Sequence, residues 1–319
     1  MDGGLLLLNK KAGITSFGAL AEVKRALGTS RVGHTGTLDK FAEGLLPVLV
    51  GRAVKLSPWF SHCDKEYRGR VRFGVETDTL DPEGQTVAEA PLPSRESLEA
   101  VLPRFRGEIL QAPPAYSAIH LGGRRASELA RSGETPEMKP RPVRVYRLEL
   151  TAWDPPLADI RVHCSSGTYI RSLARDLALA AGSRAYLTAL TRTRFAGFDL
   201  ARAVSGDQVS GVPLALAKAL LPIDRTVMED LGLPYFNLPA EYLQNIIHGK
   251  QPSQVLAGQD LHYPAFGPPH AGPGVHSAAV FCGETFAGII EQRPGGGDET
   301  VWAYGYVYAA GQGASDEGN

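Results

Sequence analysis

The sequence predicts an α+β protein, and three observations lead to that class. Runs that alternate between apolar and polar residues, as at Val143 to Leu150 and Ile160 to Cys164, predict strands. Helix-like runs do not alternate regularly with these strands along the chain, as they would in a doubly wound parallel sheet. After about residue 233, short apolar runs separated by Gly and Pro predict a small β-barrel or sandwich. The length of 319 residues fits one large or two ordinary domains.

The N-terminal part predicts a strand, a helix, a glycine-rich loop and a second strand. Leu5 to Leu8 is a short apolar run typical of a buried strand. Thr15 or Ser16 can cap a helix that ends at Gly28. This helix is expected to turn four apolar side chains inward: Phe17, Leu20, Val23 and Leu27. Gly33 to Gly44 follows as a loop, and Leu45 to Val50 has the length of a strand.

Strict alternation from Tyr67 to Phe73 predicts a strand with two different faces. One face receives Tyr67, Gly69, Val71 and Phe73, and the other receives Arg68, Arg70 and Arg72. Three guanidinium groups on one face could contact an anion, but an ordinary solvated face explains them as well.

The middle of the chain, from about residue 85 to 142, changes character. Ser94 can cap a short helix that ends near Arg106, and the run Gln111-Ala-Pro-Pro-Ala predicts a rigid extended link. Arg124 to Arg131 suits another helix, and Pro136 to Pro142 reads as a linker.

The last part predicts one helix and several short strands. Gly167-Thr168 turns into a helix with four inward side chains: Ile170, Leu173, Leu177 and Ala181. Short strands are expected at Ala278 to Phe281, Phe286 to Glu291 and Val301 to Val307. The polar tail from Gly311 to Asn319 is expected to be disordered.

Charge is divided unequally along the chain. The first 225 residues hold 31 of the 33 Lys and Arg but 24 of the 34 Asp and Glu, so they carry +7 and the last 94 carry −8. A basic part of this size suits a polyanionic partner, although modest net charge also simply keeps a protein soluble. Arg outnumbers Lys 24 to 9, which favours phosphate contacts and base stacking.

Composition also excludes several classes of protein. No apolar run approaches the roughly 18 residues that span a bilayer. The three cysteines, Cys63, Cys164 and Cys282, are widely separated and form no CxxC pair, so neither a disulfide framework nor a cysteine zinc site is indicated. We expect a cytoplasmic, soluble protein. Six histidines show no ligand spacing: His62, His163, His248, His262, His270 and His276.

Three segments carry residue types that suit chemistry. The glycines of Arg31 to Asp39 allow close backbone approach to a ligand, although a turn with a solvated Asp explains this segment too. Lys65-Glu66-Tyr67 begins a strand, where a Tyr is ordinarily a packing residue. Ser166 to Arg171 opens a helix, and a helical Arg ordinarily faces water.

A reacting carboxylate without a metal ion needs specific neighbours. An Arg beside it stabilises and orients it, and an aromatic face can hold a nucleobase. Asp39, Arg171, Tyr67 and Tyr169 meet these needs only if folding brings their segments together.

These segments closely resemble the bacterial tRNA pseudouridine-55 synthases, the TruB family. The matching motifs keep their order and spacing over about residues 1–225: Gly13-Ile14-Thr15-Ser16, Gly33-His34-Thr35-Gly36-Thr37-Leu38-Asp39, Gly44-Leu45-Leu46-Pro47, Thr77-Asp78-Thr79 with Asp81 and Gly84, Pro113-Pro114-Ala115-Tyr116-Ser117-Ala118, and Ser166-Gly167-Thr168-Tyr169-Ile170-Arg171.

The resemblance implies a fold and a division of the chain. The fold is pseudouridine-synthase-like, a mixed and mainly antiparallel sheet with flanking helices, plus a small C-terminal β-rich PUA-like domain. The implied catalytic domain covers 1–225, with a family-type insertion at about 85–142, and the PUA-like domain covers 233–310.

The resemblance also implies the reaction, in which uridine 55 of the tRNA T-loop is flipped out and isomerised to pseudouridine without a cofactor or metal. The implied partner is the tRNA T-stem-loop, and the protein is expected to be a monomer without an obligate protein partner. Asp39 matches the nucleophile, Arg171 its partner, and Tyr67 the tyrosine that stacks on the base and serves in deprotonating C5. The implied substrate-binding residues are His34, which enters the T-loop, Tyr169 and Leu190, which line the pocket, and Lys65 and Lys10.

The chain departs from the family pattern at a few positions. Lys11 replaces a usual Pro, Lys40-Phe41 replaces Pro-Leu, His120 replaces a lysine, and Ser127 replaces a tyrosine. These changes bear on RNA contact or loop rigidity. The acidic C-terminal part is also unusual, because a phosphate-binding module is normally basic.

Two other interpretations compete with a stand-alone tRNA enzyme. A guide-dependent pseudouridine synthase within a ribonucleoprotein is disfavoured by the compact length without a long basic tail. An RNA-binding or tRNA-folding module with an incidental site is disfavoured by the intact set of Asp39, Tyr67 and Arg171.

Overall fold

The computed structural model describes residues 3–205, 213–264, 277–294 and 300–308. Their strands are β1 (Gly3–Lys10), β2 (Val32–His34), β3 (Glu43–Gly51), β4 (Lys65–Phe73), β5 (Val75–Thr77), β6 (Thr86–Glu89), β7 (Gly107–Gln111), β8 (His120–Leu121), β9 (Arg124–Arg125), β10 (Arg141–Asp154), β11 (Leu157–Cys164), β12 (Ala185–Phe195), β13 (Phe198–Asp199), β14 (Val204–Ser205), β15 (Tyr235–Leu238), β16 (Leu261–His262), β17 (Ser277–Cys282), β18 (Thr285–Pro294) and β19 (Thr300–Val307). Their α-helices are α1 (Ser16–Leu27), α2 (Ser57–Ser61), α3 (Arg95–Val101), α4 (Ala126–Arg131), α5 (Ile170–Ala180), α6 (Pro213–Lys218), α7 (Arg225–Leu231), α8 (Tyr242–Ile247) and α9 (Pro252–Val255).

A ten-stranded sheet forms the larger part of the fold. Its strands follow the order β14-β1-β3-β12-β4-β11-β10-β7, with β2 paired to β3 and β13 paired to β12. The pairs β1–β14 and β3–β12 are parallel, and the other pairs are antiparallel. The predicted α+β class, with a mixed and mainly antiparallel sheet, is confirmed.

The run of four leucines in β1 is buried on both faces of the sheet. Leu6 and Leu8 pack with residues of α1 in one core. Leu5 and Leu7 pack in a second core that includes Phe281 of the five-stranded sheet. A continuous apolar run is typical of a strand that is covered on both sides. The two sheets therefore share a core.

Strand β4 has only one covered face, as its alternation predicts. Tyr67, Val71 and Phe73 are buried, whereas Arg68 and Arg72 are exposed. Arg70 is exposed too and makes two contacts with the Asp159 carboxylate, at 2.7 and 3.0 Å. The arginine stripe is thus a solvent-facing surface of the sheet.

Helix α1 begins and ends where its caps predict. The Thr15 side chain accepts a hydrogen bond from the Gly18 backbone N–H at 2.9 Å, and Gly28 ends the helix with φ of 62°. Leu20 and Val23 are buried and Leu27 is half-buried, but the prediction for Phe17 is wrong, since it is 74% exposed. The buried stripe runs through positions 16, 19, 20 and 23, and position 17 lies beside it.

The segment from 85 to 142 follows its predictions in part. Ser94 caps α3, which continues into the 3₁₀ turn Leu102–Phe105. Gln111, expected in a link, ends strand β7, and β9 takes the first two residues of the helix expected at Arg124. The expected linker is shorter, because β10 begins at Arg141.

A five-stranded sheet forms the C-terminal part, in the order β16-β15-β17-β18-β19. The three predicted strands are present as β17, β18 and β19. This part also contains α8 and α9, which the sequence did not indicate, since helices of six and four residues are too short to show a period. The predicted disordered tail, Gly311 to Asn319, lies outside the described residues, as do His270 and His276.

Two further findings concern the described residues as a whole. None of their helices combines the length and the apolar character that crossing a membrane requires. The thiols of Cys63, Cys164 and Cys282 are free and buried.

Gly44 provides a test of how β3 and β12 are joined. Its φ is 104°, and a Cβ there would lie 2.8 Å from the backbone nitrogen of Arg192. We expect Gly44→Ala to lower the free energy of unfolding by about 3 kcal/mol, because backbone strain and a collision combine.

Gly28→Ala is the matched control for this prediction. Gly28 also has positive φ, but nothing lies within 4 Å of its Cβ position, so we expect a loss of only about 1 kcal/mol. Chemical denaturation measures both variants, and equal losses would contradict the proposed close approach of the two strands.

Candidate active site

Asp39 and Arg171, distant in sequence, meet in a close ion pair. Asp39 lies between β2 and β3, and Arg171 lies in the first turn of α5. Arg171 Nε is 2.9 Å from Asp39 Oδ2, and Nη2 donates to Oδ1 at 3.0 Å. The Arg171 side chain is 4% exposed and that of Asp39 is 35% exposed. The pair therefore joins a fixed cation to a carboxylate that solvent or a substrate can reach.

Three further contacts hold the Arg171 guanidinium. Nη1 donates to the Thr79 carbonyl at 2.7 Å and to Asp81 Oδ2 at 3.3 Å, and Nη2 also donates to the Tyr116 carbonyl at 3.0 Å. Because these groups surround the guanidinium, its orientation toward Asp39 is determined before any ligand binds.

Asp81 provides a second carboxylate in the site. The sequence identified Asp81 only as part of a family motif. It is buried, and burial raises the pKa of its carboxyl, against the opposing effects of the Thr79 hydroxyl and Arg171. Thr79 Oγ1 donates to Asp81 Oδ1 at 2.6 Å, and the Glu83 N–H donates to the same oxygen at 3.0 Å. Asp81 is thus held by neighbours on its own loop.

Leu80 occupies a backbone conformation that is uncommon for its residue type. Its φ is 60°, in the left-handed region, and its side chain is buried. The residue lies between Thr79 and Asp81, which both accept hydrogen bonds from Arg171. This turn therefore presents two acceptors to one guanidinium.

Tyr169 is placed by a buried glutamine. The Gln111 side chain accepts from the Tyr169 N–H at 2.8 Å and donates to the Tyr169 carbonyl at 3.1 Å. Burial raises the pKa of the Tyr169 phenol, the Asp39 charge adds to this, and Arg171 opposes it. Tyr169 therefore belongs to the same electrostatic cluster as the ion pair.

Tyr67 and Leu190 lie on the covered face of the sheet, on neighbouring strands. Both are buried, in the core that also contains Ile170 of α5. Burial raises the pKa of the Tyr67 phenol, and the positive charge of Arg192 opposes this change. Asp39 also acts on this pKa, which places Tyr67 near the ion pair.

Lys10 is buried at the end of β1. Its Nζ donates to the carbonyls of Ile14 and Lys11 at 2.7 and 2.9 Å. Burial lowers the pKa of Lys10 to about 8, and the charge of Asp39 opposes this shift. Lys10 is therefore a buried lysine on which the Asp39 carboxylate acts.

Lys65 lies elsewhere in the cluster. Its Nζ donates to the Cys63 and Ser61 carbonyls and lies over the Phe195 ring, 5.0 Å from the centroid. Burial lowers the pKa of Lys65 to about 8, and the positive charge of Arg192 contributes to this shift. Asp39, in contrast to its effect on Lys10, does not contribute.

His34 is the last residue of β2, five positions before Asp39. Burial and the charge of Arg192 lower the pKa of its imidazole. Its Nδ1 is buried without a hydrogen-bond partner among the described residues. The described residues also contain no group of three His, Cys, Asp or Glu side chains that could hold a metal ion.

Arg192 belongs to this cluster and was missed in the sequence. It is 1% exposed, and its Nε and Nη2 donate to the carbonyls of Leu45 and Gly36 at 2.6 and 3.1 Å. The available signal was its place on β12, two positions after Leu190, which alternation assigns to the same face.

The chain is similar to known proteins over most of its length. Residues 24–170 match the family described as TruB family pseudouridylate synthase (N terminal domain). The tRNA pseudouridine synthase B of Azoarcus sp. (strain BH72) is 41% identical over 294 residues, which cover 92% of each chain. That of Borreliella burgdorferi (strain ZS7) is 43% identical over 232 residues, covering 72% of this chain and 82% of the relative.

Solved structures show a similar fold. A chain from the crystal structure of a Cbf5-Nop10-Gar1 complex has a TM-score of 0.69 and 22% sequence identity, covering 96% of this chain and 84% of that chain. One from the archaeal box H/ACA sRNP Nop10-Cbf5 complex has a TM-score of 0.67, with 22% identity and coverage of 96% and 86%. The family resemblance inferred from the motifs is confirmed, and the chain belongs to the TruB family of pseudouridylate synthases.

Proposed function

We propose that this protein isomerises uridine 55 in the T-loop of tRNA to pseudouridine, using Asp39 as the nucleophile. The observation that carries the proposal is the Asp39 carboxylate, partly open to solvent and held by the buried Arg171. The names of the relatives, tRNA pseudouridine synthase B, support tRNA as the substrate. A tRNA substrate implies a cytoplasmic enzyme.

The reaction conserves every atom of the nucleotide. The C1′–N1 bond breaks and its electron pair leaves with the uracil, which rotates so that C5 faces C1′. The C5–C6 double bond supplies the pair for the new C1′–C5 bond, C5 loses its proton, and N1 gains one. Arg171 orients the Asp39 carboxylate for this exchange, and Lys10 adds positive charge near the departing uracil.

Base flipping brings the uridine to these groups. Extruding a base from a folded loop costs a few kcal/mol, which stacking and contacts in the enzyme offset. We assign His34 to the space that the base leaves, and Tyr67, Tyr169 and Leu190 to the walls around the flipped ring. Lys65 supports this pocket from the side of Phe195.

We further propose that the chain acts as a monomer without a cofactor, an obligate protein partner or a guide RNA. Residues 1–225 form the catalytic domain and, with a charge of +7, bind the tRNA phosphates, while the acidic PUA-like domain at 233–310 contributes few phosphate contacts. The decisive experiment maps pseudouridine in tRNA after incubation with the purified protein alone. A requirement for guide RNA would favour a guide-dependent synthase. Binding of tRNA without modification would favour an RNA-binding module.

Asp39→Ala should abolish isomerisation of a T-stem-loop transcript while leaving RNA binding largely intact, because the variant loses the reacting carboxylate but none of the basic side chains that attract phosphates. Asp159→Ala is the matched control, since Asp159 makes a similar two-point contact with Arg70 on the solvent face of the sheet. Nucleoside analysis and filter binding measure both quantities. Full turnover by Asp39→Ala would eliminate Asp39 as the nucleophile.

Arg171→Ala should lower the rate of turnover by about 100-fold or more, since a preorganised charged donor is lost. It should weaken RNA binding much less, because Arg171 is buried behind Asp39. Single-turnover rates and dissociation constants are compared with those of Arg70→Ala, and circular dichroism checks folding. A loss confined to affinity would make Arg171 a phosphate contact instead.

A further inference from the structure

Arg192 is a buried cation that the proposed chemistry has not yet used. Its side chain is among the largest that are fully buried in the described part of the protein. Its hydrogen-bond partners there are two carbonyl oxygens, and it forms no ion pair with a carboxylate in these residues. Burying a charge without a counter-charge costs several kcal/mol. Stability alone therefore gives a poor account of an arginine at this position.

The contacts of Arg192 join segments that the reaction requires. Its guanidinium donates to the carbonyl of Gly36, three residues before Asp39, and to that of Leu45 on β3. On the neighbouring strand β4 its cross-strand partner is Tyr67, which is buried on the same face of the sheet. One planar group thus connects the nucleophile loop to β3 and lies beside the tyrosine.

Tyr67 needs such a partner if it is to accept a proton from C5. A neutral phenol is a poor base, and burial disfavours the phenolate. The ionisable side chains that act on Tyr67 are Arg192 on β12, Cys164 on β11 and Asp39 in the loop after β2. Cys164 and Asp39 also disfavour the phenolate, so Arg192 is the cation of this set that favours it.

We propose that Arg192 is a positioning residue for Tyr67: it holds the phenol oxygen in place and stabilises the phenolate form, which is the base that accepts the C5 proton. The proton passes from C5 to the Tyr67 phenolate, which becomes a neutral phenol, and the C5–H electron pair restores the C5–C6 double bond. N1 of the product takes up one proton from solvent and the phenol releases one to solvent, so the enzyme returns to its starting state. This inference rests on the proposed function, because it assumes uridine isomerisation.

Arg192→Lys tests the proposal, since lysine keeps the charge but lacks the planar fork that reaches several acceptors. Arg194→Lys is the matched control, because Arg194 lies on the same strand and contacts Glu66 at 3.6 Å. Single-turnover rates are measured on T-stem-loop RNA carrying hydrogen or deuterium at C5 of the target uridine. RNA dissociation constants are measured in parallel.

We expect Arg192→Lys to react about 100-fold more slowly, the scale of a lost general base, with unchanged RNA affinity. Its deuterium isotope effect should rise, because proton transfer from C5 becomes slower relative to the other steps. The control should match the wild type in all three quantities. In a Tyr67→Phe background, Arg192→Lys should cause no further loss, because both changes remove the same function.

Several results would overturn this role. An unchanged isotope effect, or an equal loss with and without Tyr67, would make Arg192 a structural residue. The same conclusion would follow if Arg192→Lys and Arg192→Gln both fail to fold by circular dichroism. Wild-type protein that leaves tRNA unmodified would refute the proposed function itself. That outcome differs from an active enzyme whose rate does not depend on Arg192, which would refute only the role of Arg192.

Discussion

Arg171 lies buried in the first turn of α5, and its guanidinium joins four separate segments of the chain. It contacts the carboxylates of Asp39 and Asp81 and the carbonyls of Thr79 and Tyr116. Removing one partner from a buried charge pair typically costs about 3–5 kcal/mol. The site and the packing around α5 therefore both depend on the Arg171 side chain. The orientation of the Asp39 carboxylate follows from the contacts that Arg171 makes with Thr79, Asp81 and Tyr116.

The larger sheet positions these groups because its two halves have different surroundings. β1 and β3 are covered on both faces, which fixes the strand that carries Lys10 and the strand that follows Asp39. β4 and β11 are open to solvent on one face, so arginines alternate with buried residues such as Tyr67. Tyr67 and Leu190 thus project from the covered face, into the core that also contains Ile170 at the start of α5.

Much of this arrangement could be predicted from the sequence, and the failures have physical reasons. Caps and alternation located α1 and β4 because both depend on near neighbours in the chain. The burial of Arg171 could not be deduced this way, since its partners lie up to 132 positions away. Arg192 was missed for a related reason: arginine ordinarily faces water, and only the pairing of β12 with β3 and β4 makes its position interior.

The core shared by the two sheets has a consequence for how the C-terminal part evolves and is engineered. Leu5 and Leu7 on β1, and Phe60 on α2, are covered by Phe281 and Phe286 of the smaller sheet. Truncation before residue 233 would leave these side chains in water and destabilise the strand that ends at Lys10. The smaller sheet therefore helps to stabilise the larger one. The residues of its acidic surface can change in evolution, whereas those of the apolar face that covers the larger sheet cannot.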